Sequence, residues 1–79
     1  MKANVYTFKD GRAEFNDVTA IRIKSKDYNL LILKDYLAIV GEIDGDIEIE
    51  TVDGKTLYEN VKAYYMNHNN LFNLMIEGE

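Results

Sequence analysis

Few residues in this 79-residue chain have types and spacing that could do chemistry. Five carboxylates, Glu42, Asp44, Asp46, Glu48 and Glu50, alternate with Gly41, Ile43, Gly45, Ile47 and Ile49. On an extended strand such acids stand ~6.6 Å apart on one face, too wide for neighbours to share one metal ion easily. The Asp44-Gly45 pair reads as a turn that interrupts the row, so Asp46, Glu48 and Glu50 form its longest regular stretch. Asp44-Gly45-Asp46 also lacks the calcium-loop spacing, which puts its glycine sixth of twelve. The first reading of these acids is the solvated outer face of a half-exposed strand. The second is a docking surface for a basic protein.

The remaining candidates are weaker. His68 is the only histidine and Ser25 the only serine, so no nucleophile, base and orienting acid assemble into a triad. One imidazole is also short of the ligand set that zinc requires. Asp53-Gly54-Lys55-Thr56 echoes the end of a phosphate-binding loop but lacks the upstream glycine, and a hairpin turn explains it better. No catalytic residue, metal site or cofactor site is expected. Tyr64 and Tyr65 are adjacent, so in a strand they point to opposite faces. One joins the core with Val61 and Ala63; the other stands outside with Lys62 and Met66. Exposed aromatic and methionine side chains are enriched in protein interfaces.

Composition bounds the rest. The length suits one domain, spanning 1–79. Hydrophobic residues make up 47%, too many for a disordered chain. The net charge of −5 disfavours nucleic acid, which calls for a basic stripe, and anionic membrane surfaces alike. The absence of cysteine excludes disulfides and favours the cytoplasm. The stretch Met1 to Tyr6 lacks the apolar core of a signal peptide. Leu30 to Leu33 and Leu37 to Val40 are far too short for direct membrane insertion.

These residues must be positioned by strands. Turn signals recur at Asp10-Gly11, Asp44-Gly45, Asp53-Gly54 and Asn67-His68-Asn69-Asn70. Between them, apolar and polar residues alternate with the period of half-buried strands. Strands are expected near 2–8, 12–15, 18–24, 29–33, 37–41, 46–52, 55–59, 61–66 and 71–76. The implied fold is all-β: a small two-layer sandwich or flattened barrel of about eight to ten short, mainly antiparallel strands. Without proline no sheet edge is blocked, which leaves a homodimer open.

The order of these elements resembles the N-terminal β-sandwich domain of the epsilon subunit of F-type ATP synthase. The segment from Val5 to Phe15 is similar to that family's opening strand, acidic-glycine turn and short return. Val18 to Ile23 resembles its next strand. Gly45, Ile47 and Ile49 match a glycine followed by two spaced isoleucines, and Asp53-Gly54 matches a turn. Tyr58, Val61 to Met66, Asn70 and Leu71 to Ile76 resemble the closing tyrosine, strand, turn and strand. Ile32-Leu33-Lys34-Asp35-Tyr36 departs from it, with Lys34, Asp35 and Tyr36 where the family has proline, glycine and histidine. Val61-Lys62 replaces a glycine pair. Only Glu77, Gly78 and Glu79 follow the last expected strand, where the family's C-terminal helical hairpin begins, so that hairpin's functions are not carried over.

The resemblance implies a domain at the foot of a rotary stalk, contacting a gamma-subunit coiled coil and a membrane rotor ring. The expected function is therefore a non-catalytic protein-binding module. Its expected interface residues are Asp35, Tyr36, Tyr64, Met66, Asp46, Glu48 and Glu50. The alternative is a stand-alone acidic adaptor or inhibitor that docks an unrelated protein through the Tyr/Met patch or the acidic strand.

Overall fold

A computed structural model describes residues 1–77; Gly78 and Glu79 lie outside the described residues. Seven strands follow in chain order: β1 (Lys2–Thr7), β2 (Gly11–Phe15), β3 (Val18–Ser25), β4 (Asn29–Ile32), β5 (Ile39–Thr51), β6 (Gly54–His68) and β7 (Leu71–Glu77). They form one sheet in the order β2-β1-β7-β6-β5-β3-β4. Every pairing is antiparallel except that of β1 with β7, which is parallel. No helix among the described residues is long and apolar enough to cross a membrane.

Alternation selects the inner face. Ala3 and Val5 of β1 pair with Phe72 and Leu74 of β7, which pair in turn with Asn67 and Tyr65 of β6. On the other half, Ile47 and Ile49 of β5 pair with Ile23 and Ile21 of β3. These apolar side chains are buried in one continuous core together with Ile32, Ile43 and Ala63. Each aliphatic side chain so buried contributes roughly 1.5–3 kcal/mol. The sheet therefore folds over on itself, and the two inner faces meet. The fold also joins the chain's start to β3, because the Val18 amide donates to the Met1 carbonyl at 2.8 Å.

The strand count is lower than the expected eight to ten because two pairs of expected strands fuse. Segments 37–41 and 46–52 are one strand, β5, and 55–59 and 61–66 belong to β6. Asp44-Gly45 is not a turn. Gly45 pairs with Val61 and Ile47 with Tyr58, so Asp46 faces both Glu59 and Asn60 across a bulge. Asn60 takes the left-handed conformation there, with φ of 53°, which asparagine tolerates better than most residues. The Asp46 carboxylate accepts a 2.9 Å hydrogen bond from the Asn60 amide and fixes the bulge.

Gly45 has a different role from the one its sequence suggests. Its φ is not positive; instead, a Cβ there would collide with the Lys24 backbone carbonyl. The expected turns at Asp10-Gly11, Asp53-Gly54 and the asparagine run do form, with φ of 74° at Gly11 and 147° at Gly54. Asn69 and Asn70, at 50° and 62°, both supply the positive φ of a two-residue hairpin turn.

Gly45→Ala is expected to cost about 1–3 kcal/mol, because backbone must move to admit the methyl group. For a domain of this size each kcal/mol lowers the thermal midpoint by about 4–8 °C. Unchanged melting in Gly45→Ala would show that the close approach of β3 and β5 carries no constraint.

Candidate functional site

The acidic row proves to be divided by the bulge at Asp46, and beyond it the acids are engaged. On the second half, Arg22 projects between two carboxylates, with Nη1 2.6 Å from Glu50 Oε1 and 3.7 Å from Glu48 Oε2. Lys55 Nζ approaches Glu48 Oε2 at 3.5 Å. The hydrogen bond from Arg22 holds the Glu50 carboxyl below the usual carboxylate range and raises the guanidinium in return. Asp46 is occupied with the Asn60 amide. The three acids offered as a docking strip thus already have partners, and the ion pairs of half-buried Glu48 and Glu50 with partly exposed Arg22 and Lys55 add little stability. Among the described residues, no three carboxylate or imidazole groups gather as a metal site would require.

The segment between β4 and β5 is held down rather than offered. The Asp35 amide donates to Asn70 Oδ1 at 2.6 Å, and Asn70 Nδ2 returns a bond to Asp35 Oδ1 at 3.0 Å. Asp35 adopts φ of 64°. Buried Asn67 donates to the Leu37 carbonyl at 3.1 Å. Tyr36 is half-buried against the core. Asp35 and Tyr36 therefore sit in a strap closing one end of the sandwich, with Leu37 exposed beside them.

The tyrosine pair divides its two faces between core and solvent. Tyr65 is buried and stacks on Phe72 with ring centroids 5.7 Å apart. Gly41 lies under its ring: a Cβ there would fall 2.6 Å from Tyr65 Oη. Tyr28 Oη lies 2.5 Å from the Glu42 carbonyl oxygen and 3.2 Å from Tyr65 Oη. Tyr28 spends its one proton on that carbonyl, so Tyr65 donates to Tyr28. Burial, followed by this bond, pushes the Tyr65 phenol above its ordinary range.

Tyr64 faces outward, and the register gives it company. Glu42, Tyr64, Met75, Tyr6 and Arg12 stand in one row across five strands, and Val40, Met66, Asn73, Asn4 and Glu14 in the next. Val40 is 69% exposed, Tyr64, Met66 and Met75 are each 47% exposed, and Tyr6 is 39% exposed. They make an apolar strip on the outer face of the first half. At its β5 end the carboxylates of Glu42 and Asp44 have no ion-pair partner among the described residues. Sequence reasoning found Tyr64 and Met66 but not Val40, Met75 or Tyr6. Val40 and Met75 converge on Tyr64 and Met66 through the β5–β6 and β6–β7 registers, and Tyr6 through the parallel pairing of first and last strands, which no local signal announces.

No known protein-family profile matches this sequence, and no curated protein sequence does. Among solved structures, 13 chains match its fold. One belongs to the central stalk and c-ring assembly of the Tetrahymena thermophila mitochondrial ATP synthase, with a TM-score of 0.76 at 17% identity. The match covers 99% of this chain and 63% of that one. At this identity the likeness is one of fold. The expected all-β architecture is thus shared with a chain of that central stalk and c-ring assembly, while the epsilon subunit itself is not named by the match.

The Tyr65 phenol gives a pH prediction. Its folded pKa lies above the ordinary unfolded value near 10. Its contribution is therefore complete below pH ~10 and is lost as pH rises beyond that, where the unfolded chain ionises first. Tyr65→Phe is expected to retain more of its own neutral-pH stability in alkaline denaturant titrations than wild type does. Identical alkaline losses in the two proteins would contradict the burial and hydrogen bond assigned to this phenol.

Proposed function

We propose that this protein is a non-catalytic binding module that docks a protein partner through the outer face of its first half-sheet. The single observation that carries the reading is the exposed strip Val40, Met66, Tyr64, Met75 and Tyr6, with Glu42 and Asp44, which form no ion pair among the described residues, at its edge. Single exposed apolar residues call for no explanation, but a contiguous strip spanning four strands marks an interaction surface. Aromatic and methionine side chains supply its contact area. The acids select a partner with basic residues flanking an apolar stripe.

The shared fold supports one class of partner. A chain of a rotary ATP synthase stalk assembly has the same architecture. The finer reading is the stalk-binding sandwich of an epsilon-type subunit or a short paralogue of it, meeting a gamma-subunit-like coiled coil in the cytoplasm. A coiled-coil helix presents an apolar stripe flanked by charges, which suits a strip of this shape. The alternative, a stand-alone acidic adaptor or inhibitor, would use the same strip for an unrelated protein. The row Asp46, Glu48 and Glu50 is a poorer surface for it, because those carboxylates are already engaged. Asp35 and Tyr36 would contribute by holding the strap beside the strip.

Titration of a purified gamma-type coiled coil into the protein tests both levels of the proposal. Binding is expected, and Tyr64→Ala with Met66→Ala should weaken it by about tenfold or more, as interface anchors do. Glu48→Gln with Glu50→Gln should leave it within a few-fold. No binding of the coiled coil would reject the stalk reading. Binding untouched by the Tyr64 and Met66 substitutions would reject the face.

A further inference from the structure

The sheet ends on β2 at one side and β4 at the other, and the two ends differ in what they could accept. Neither contains proline, so each offers unpaired backbone groups to another strand. Two copies joined edge to edge by a twofold axis must pair antiparallel, with the axis perpendicular to the sheet. That geometry puts one residue opposite itself and sets every other pair symmetrically about it.

β4 is the four-residue stretch Asn29–Ile32, which carries no charged side chain to fix a register with its own copy. For β2, Gly11–Phe15, the register centred on Ala13 sets Arg12 of each copy opposite Glu14 of the other. Centring on Arg12 or on Glu14 instead sets that charge opposite its own copy. The two charges are available: within one chain Arg12 Nη2 and Glu14 Oε1 are 3.9 Å apart, with side chains about half exposed. Phe8, at the tip of the β1–β2 hairpin, is 91% exposed.

We infer that β2 is a self-recognition edge, through which a second copy of this chain adds its own β2 in antiparallel register about Ala13. The occupant is fixed by charge: within β2 only the register about Ala13 sets Arg12 opposite Glu14, whereas β4 carries no charge that selects a partner. The joined sheet runs through both first halves, so the two apolar strips lie on one surface. An edge of five residues is short, so the dimer is weak and concentration-dependent rather than obligate.

Sedimentation equilibrium of the full chain over micromolar to millimolar concentrations tests this. Wild type should show a monomer–dimer equilibrium that weakens with added salt. Arg12→Glu alone and Glu14→Arg alone should each reduce association by about tenfold or more, since two attractive cross-strand pairs become repulsive. Arg12→Glu combined with Glu14→Arg should restore it, and an equimolar mixture of the two single variants should form a heterodimer. If a single variant failed to fold, the double variant and the salt dependence of wild type would still decide. A wild type that stays monomeric, or single variants that associate as strongly as wild type, would overturn the inference.

Discussion

The bend shared by β5 and β6 is the constraint on which the rest of this molecule depends. Both strands run from one half of the sheet into the other, and there is no connecting loop to absorb a change in their direction. The bend is produced by one surplus residue on β6 and one absent side chain on β5. Asn60 supplies the surplus and Gly45 the absence. Asp46 bonds the Asn60 amide across the bulge, while the Lys24 carbonyl occupies the space a side chain at residue 45 would need. Bulges increase local twist and bend a strand, and here that bend brings Ile43 and Ala63 within one core with Ile21 and Ile23.

Once the sheet is bent, the fate of each polar residue follows from its side. Acids of β5 that precede the bend share a surface with Tyr64 and Met75. Those beyond it meet Arg22 and Lys55. One run of alternating carboxylates is therefore two different surfaces, one whose charges form no ion pair among the described residues and the other nearly neutralised. The inner side shows the same economy. Gly41 has no side chain where the Tyr65 ring must lie, and Tyr28 receives the phenol proton that burial would otherwise strand. A phenol enclosed without a partner would cost roughly 1–3 kcal/mol.

Much of this was legible in the sequence. Alternation around Ile21, Ile47 and Val61 identified an all-β fold and the correct inward parity of those strands. Asp10-Gly11, Asp53-Gly54 and the asparagine run marked real hairpins. Asp44-Gly45 misled, because the same dipeptide that favours a turn also suits a site of close backbone approach, and only the β3 carbonyl distinguishes them. The solvated reading of Glu48 and Glu50 was available from parity. Their pairing with Arg22 was not, since it depends on which strand lies beside β5. The docking strip was half visible for the same reason: Tyr64 and Met66 share a strand, Met75 joins them through the β6–β7 register, and Tyr6 only through the pairing of β1 with β7.

Amide hydrogen exchange on wild type and Asp46→Ala tests the central role of the bend most directly. Losing the carboxylate that caps the bulge is expected to lower stability by about 1 kcal/mol. The Asn60 amide should lose its protection, and the amides of Ile21 in β3 and Leu74 in β7 should weaken together, because both halves rely on one bend. An Asn60 amide that exchanges equally slowly without Asp46, or a loss confined to one half of the sheet, would contradict that account.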